Sequence, residues 1–168
     1  MSETATQKGA STNTNATGSR FVYVTYIRTT AEKLWDALLL PEFTKQYWCE
    51  TWQECDWKVG SPWKIMIPDG RIADSGKVEE IEKPKRLVLT WRNEKKPEYT
   101  AEGYSRCTID LEPVEGSIKL TVTHEIDVEA SKLIEGVSTG WPMILASLKS
   151  LLETGEPLDG TRKWPKGM

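Results

Sequence analysis

Apolar and polar positions along this chain follow two different periods, and the changes between them mark its elements. From Phe21 to Ile27 the run Phe-Val-Tyr-Val-Thr-Tyr-Ile, bounded by Arg20 and Thr29, is β-branched and aromatic and predicts a strand with both faces at least partly covered. The period then lengthens. Leu34, Trp35 and Leu38 follow at helical spacing behind the capping-box pattern Thr29-x-x-Glu32, until Pro41 stops the run. Pro41-Glu-Phe-Thr-Lys predicts a second short helix with proline at its first position. The register of the segment holding Trp48, Cys49, Trp52 and Trp57 stays open.

From Trp63 the alternation returns. Trp63, Ile65 and Ile67 share a face, Pro68-Asp69-Gly70 supplies a turn, and Ile72 to Glu82 form the return strand, with parity broken near Gly76 as a bulge would break it. Pro84 separates this strand from Leu87, Leu89 and Trp91, and Asn93 to Glu98 make a polar loop. The cleanest alternation follows, with Cys107, Ile109 and Leu111 on one face, then Ile118, Leu120, Val122, His124 and Ile126 after the Glu115-Gly116 turn. An antiparallel meander is the natural assembly. At the end, Trp141, Leu145, Leu148 and Leu152 fall at i, i+4, i+7 and i+11, with Gly155 as the C-terminal cap. Because proline is tolerated only in a first helical turn, Pro142 places the start of this helix near Thr139 to Trp141.

The predicted class is α+β: a sheet of about six or seven antiparallel strands, two short helices after the first strand, and one long C-terminal helix. That helix alone has an apolar stripe wide and long enough to cover a sheet face. The sheet is therefore expected to curve around it, with a ligand-sized cavity between the layers.

Length and composition bound this picture. The 168 residues suit one domain, placed at residues 20–158. The segment 1–19, almost all Thr, Ser, Asn, Gly, Ala and Gln, is expected as a disordered tail, and 159–168 as a flexible one. A net charge of -3 gives no electrostatic footprint for a phosphate backbone, so a nucleic-acid partner is disfavoured. No apolar run approaches membrane-spanning length and the first twenty residues lack a secretory core, which points to no membrane and a cytoplasmic location. The three cysteines, irregularly spaced, read as reduced thiols, and the single histidine argues against a zinc site. No metal or cofactor is expected.

Candidate chemistry centres on aromatic residues. Among eight tryptophans, Trp63, Trp91 and Trp141 fall on faces assigned to the interior and are candidates to wall a pocket for a flat ligand; ordinary core packing is the alternative for each. His124 shares the inward face of its strand and offers an acid, a base or a hydrogen-bond donor; the alternative is a core histidine bonded to a carbonyl or hydroxyl. A Cys107–His124 pair competes with a simply buried thiol. Glu79, Glu80 and Glu82, beside Lys83, Lys85 and Arg86, read as a solvated strand end. No catalytic constellation is evident.

Several motifs in order resemble one family. Gly76-x-Val78-x-Glu80 leading to Pro84-x-Arg86-Leu87, Leu89-x-Trp91, Leu120-Thr-Val-Thr-His124, and Gly140-Trp141 opening a Leu-rich helix that ends Leu151-Leu152-Glu153 are similar to the START-like, birch-pollen-allergen-like helix-grip (SRPBCC) superfamily. Ala31-Glu32-Lys33-Leu34-Trp35-x-Ala37-Leu38 and Trp48 extend the resemblance toward the subfamily related to the activator of heat-shock protein 90 ATPase, over Phe21 to about Leu158. The resemblance implies a helix-grip fold and places Trp48 at the cavity mouth. It implies, first, binding of a small lipophilic or aromatic molecule. A chaperone ATPase partner is an alternative, although the eukaryotic activator carries a separate N-terminal domain where this sequence has a Thr/Ser/Asn segment. A third reading is a cyclase- or aromatase-like enzyme with His124 as proton carrier and Tyr104, of outward parity, as helper. An exposed sheet edge allows a monomer or a homodimer.

Overall fold

The computed structural model describes residues 18–168; the expected N-terminal tail lies, for residues 1–17, outside the described residues. Strand β1 (Ser19–Ile27) leads into helices α1 (Ala31–Leu39) and α2 (Pro41–Tyr47). Six strands follow: β2 (Trp52–Cys55), β3 (Pro62–Met66), β4 (Ile72–Glu82), β5 (Arg86–Asn93), β6 (Ser105–Val114) and β7 (Ser117–Ile126), with the short helix α3 (Pro97–Thr100) after β5. Helix α4 (Lys132–Thr154) closes the order, trailed by a 3-10 turn at Asp159–Thr161. All pairings are antiparallel in one seven-stranded sheet, β1-β7-β6-β5-β4-β3-β2. The helix-grip α+β architecture expected from the sequence is thus the observed one. No helix among the described residues is long and apolar enough to cross a membrane.

The core sits between sheet and α4. Leu87, Leu89 and Trp91 of β5, Cys107, Ile109 and Leu111 of β6, and Ile118, Leu120 and Val122 of β7 meet Trp141, Leu145 and Leu148 of α4, all buried. Period two on the strands and period 3.6 on the helix place these residues on facing surfaces. Strand β1 differs from expectation: Phe21 and Tyr23 pack on the core, but Val22, Val24 and Tyr26 are exposed, because the outer face of the sheet carries no layer there.

Four local readings are corrected. The N-cap of α1 is Thr30, not Thr29; its hydroxyl accepts from the Lys33 amide at 3.3 Å. The polar loop after Asn93 contains α3. In β4 the register shifts lie opposite Ile65/Met66 and between Val78 and Glu80, on either side of Gly76 rather than at it. Gly76 itself marks a close backbone approach, since a Cβ there would stand 1.8 Å from the Thr90 carbonyl oxygen of β5. Gly76→Ala is therefore expected to force the two strands apart and cost about 2–3 kcal/mol. Urea unfolding measures it, and a loss below about 0.5 kcal/mol, the range of ordinary surface changes, would contradict the geometry.

The fourth correction concerns α4, which begins at Lys132, well before Thr139, and holds Pro142 in its interior. An interior proline costs a backbone hydrogen bond and about 3 kcal/mol. Two features offset that here. Leu133 and Ile134 are buried against Ile126, and the helix start is capped twice. Ser131 Oγ accepts from the Ile134 amide, while the Glu102 carboxylate accepts from the Lys132 and Leu133 amides at 2.7 and 3.3 Å. A carboxylate at a helix N-terminus also meets the positive end of the helix dipole.

Candidate functional site

A cavity of about 620 Å³ opens between the inner face of β3–β5, the N-terminal half of α4 and the C-terminal segment. Strand parity sets its walls. Trp91 comes from β5, Trp141 from the apolar stripe of α4, and Trp48 from the residue that ends α2. The Trp48 ring centroid lies 5.4 Å from Trp141 and 6.5 Å from Trp91, and Trp91 lies 5.7 Å from Trp141. The three indoles form one continuous aromatic surface.

The other two candidates stand behind that surface and do not line the cavity. Trp63 is fully buried with its ring centroid 4.5 Å from that of Trp91, and its indole N–H donates to Gln53 Oε1 at 2.8 Å. His124 is fully buried, edge-on to Trp91 at 5.2 Å.

The protons around His124 can be assigned by elimination. An indole N–H only donates, so Trp141 Nε1 gives its hydrogen to His124 Nδ1 at 3.2 Å. Nδ1 is therefore the bare nitrogen, and Nε2–H donates to Ser105 Oγ at 2.7 Å. The Ser105 hydroxyl in turn donates to the Trp91 carbonyl at 2.9 Å. Burial favours the neutral ring and pulls its pKa down to about 3. Both nitrogens are thus committed to protein partners, which is the core-histidine alternative. Cys107 is the cross-strand partner of His124, but burial raises the pKa of its thiol, so it offers no thiolate. Tyr104 is exposed, its ring under the Arg92 guanidinium, away from the cavity.

Asp74 also lines the cavity, a carboxylate that is not among the candidates the sequence offers. Its Oδ1 accepts from Trp91 Nε1 at 2.9 Å and from Asn93 Nδ2 at 3.2 Å. Burial dominates its titration and raises the carboxyl pKa to about 6, against the lowering by those two bonds. The one signal in the sequence is an aspartate inside a strand, where that residue is depleted. Asp74 pairs with Ile65 across β3 and Asn93 across β5, which fixes it on the inner face.

A raised carboxyl pKa stabilises the fold at low pH, and that contribution is lost as pH rises through about 4 to 6. At pH 7 the ionised group costs about 2–3 kcal/mol, from 1.36 kcal/mol per pKa unit. Asp74→Asn keeps an oxygen for both donors and removes the charge. It is expected to gain about 2 kcal/mol at pH 7 and almost nothing at pH 4. Urea unfolding at the two pH values checks this; equal stability of the two proteins at pH 7 would count against it.

The segment expected as a flexible C-terminal tail forms the outer wall. The Cys49 amide donates to the Thr161 carbonyl at 2.7 Å, and Thr161 Oγ1 to Ser147 Oγ at 2.7 Å. Beyond them Trp164 and Met168 line the cavity. Lys95 Nζ sits 4.4 Å from the centre of the Trp164 ring, and Arg71 donates to the main-chain oxygen of Met168 at 2.8 Å.

The family model described as Activator of Hsp90 ATPase homolog 1-like protein matches residues 28–153. Among solved structures, protein ChR145 from Cytophaga hutchinsonii is 26% identical, with a TM-score of 0.65 over 82% of this chain and 95% of its own. Protein MLL2253 from Mesorhizobium loti is 24% identical, with a TM-score of 0.67 over 80% of this chain and 97% of that one. An Aha1 dimer from Colwellia psychrerythraea is 23% identical, with a TM-score of 0.66 over 82% and 98%. The last two show likeness of fold. No curated protein matches the chain.

Proposed function

The chain belongs to the family of Activator of Hsp90 ATPase homolog 1-like proteins, and on that premise we propose that it binds a small aromatic molecule in the cavity between sheet and α4. The observation that carries this reading is the continuous indole surface of Trp48, Trp91 and Trp141, with the Asp74 carboxylate set beside it. A cavity of about 620 Å³ is in the range that encloses small organic ligands, and aromatic walls reward flat ones. A cytoplasmic location fits the three free thiols.

A thermal-shift series on the full chain tests the reading, with flat aromatics against aliphatic acids of similar size. A ligand at 100 times its dissociation constant adds about 2.7 kcal/mol, worth several degrees of melting temperature for a domain of this size. The aromatics are expected to raise the midpoint, and Trp48→Ala to abolish the rise while leaving the protein folded. Silence across the panel, with no heat in calorimetry, would remove the reading.

The family description favours a second reading, a chaperone ATPase as partner. It predicts a changed ATPase rate when this chain is added to an Hsp90-type chaperone. An unchanged rate together with no retention in a pull-down would dismiss it.

A further inference from the structure

Asp74 has two oxygens and the protein uses one. Both donors, Trp91 Nε1 and Asn93 Nδ2, go to Oδ1. Among the described residues no hydrogen bond reaches Oδ2, yet no buried side-chain oxygen or nitrogen lacks a partner. Oδ2 therefore keeps accessible surface, and the cavity is the space that Asp74 lines. It is a carboxylate oxygen with unused acceptor capacity on a residue that lines the same cavity as the indoles.

A second feature of the same cavity has the opposite sign. Lys95 and Lys96 line it, and neither forms an ion pair among the described residues. Each ammonium instead rests on an aromatic face that also lines the cavity: Lys95 over Trp164 at 4.4 Å, and Lys96 over Tyr99 at 5.0 Å. Burial, then the neighbouring Arg71 guanidinium, lowers the Lys95 pKa, and the Asp69 and Asp74 carboxylates offset this only in part, so a further anion beside it is favoured. These two cations, outside any ion pair among the described residues, also disfavour a ligand with a fixed positive charge at Asp74.

Resting on the reading that the cavity binds a flat aromatic molecule, we propose that its ligand is an aromatic acid carrying an O–H or N–H donor. The donor end is accepted by Asp74 Oδ2, the ring lies against Trp48, Trp91 and Trp141, and the anionic end is held by Lys95 and Lys96. Such a molecule matches each of the three polar and apolar features once. A hydrogen bond to an ionised acceptor is among the stronger kinds, so the donor sets specificity.

Calorimetry on the full chain at pH 7.5 with three probes tests this: a hydroxynaphthoate with hydroxyl and carboxylate on opposite rings, naphthoate, and naphthol. Hydroxynaphthoate is expected to bind tightest, and loss of the hydroxyl to weaken binding about tenfold or more. Asp74→Asn should bring hydroxynaphthoate down to the affinity of naphthoate and leave naphthoate within about twofold, the melting curve confirming the fold. The double variant Lys95→Met/Lys96→Met should erase the advantage of either acid over naphthol. Equal binding of all three probes, or equal weakening of hydroxynaphthoate and naphthoate by Asp74→Asn, overturns the proposal while the aromatic cavity stands. No binding by any probe overturns both.

Discussion

Trp141→Ala is expected to lose about 3–5 kcal/mol of unfolding free energy, the range for deleting a buried large aromatic. Three separate losses meet at this position. The side chain is almost wholly buried against the sheet, its ring contacts Trp48 and Trp91, and its N–H is the donor to His124 Nδ1. Removing it leaves a void and a buried acceptor without its proton, and each is costly. Trp141→Phe largely separates the two, since it keeps most of the volume and removes the N–H with only part of the ring, for an expected cost of about 1–3 kcal/mol. Denaturant unfolding of both variants gives the comparison. A loss below about 1 kcal/mol for the alanine variant would mean that Trp141 is not packed as described.

Acidification is expected to cost the fold about 4 kcal/mol at His124 alone between pH 7 and pH 3. The folded-state pKa of about 3 lies below the ordinary value of 6.5, so the unfolded chain binds the proton more readily. Stability from this group is full above pH 6.5 and is lost as pH falls toward 3. Asp74 works the other way between about pH 6 and 4, where its protonation stabilises the native state. The two contributions nearly cancel in that window. Asp74→Asn should therefore lose about 2 kcal/mol more than the wild type between pH 6 and 4 and run nearly parallel to it below pH 4. Surface carboxylates contribute equally to both proteins and drop out of the difference. Nitrogen-15 NMR of the imidazole supplies the direct check, with Nε2 protonated and Nδ1 bare at pH 7. An imidazole midpoint near 6 would refute the assignment.

Most of the fold was legible because alternation is hard to mimic. Cys107, Ile109 and Leu111 pair with His124, Val122 and Leu120 of β7 in the register that period two demands. The start of α4 was not legible, since its first turn depends on Glu102, thirty residues upstream of Lys132, whose carboxylate reaches the helix only in three dimensions. A local rule about proline then decided the boundary wrongly. At the cavity, Trp91 and Trp141 announced themselves by bulk and parity, and Trp48 through the family resemblance. Parity cannot tell a cavity wall from the layer behind it, which is why Trp63 and His124 belonged to the same set. Asp74 stayed hidden because register shifts on both sides of Gly76 disguise the inner face of β4.

The packing of Trp48, Trp63, Trp91 and Trp141, with neighbouring ring centroids 4.5 to 6.5 Å apart, also makes them a single optical unit. Excitation absorbed by any one of these indoles passes to its neighbours faster than it is emitted, so the emission reports the lowest-energy ring of the group. Trp48 and Trp91 face the cavity while Trp63 does not touch it. A quencher that meets only the outer rings should then darken the buried one as well.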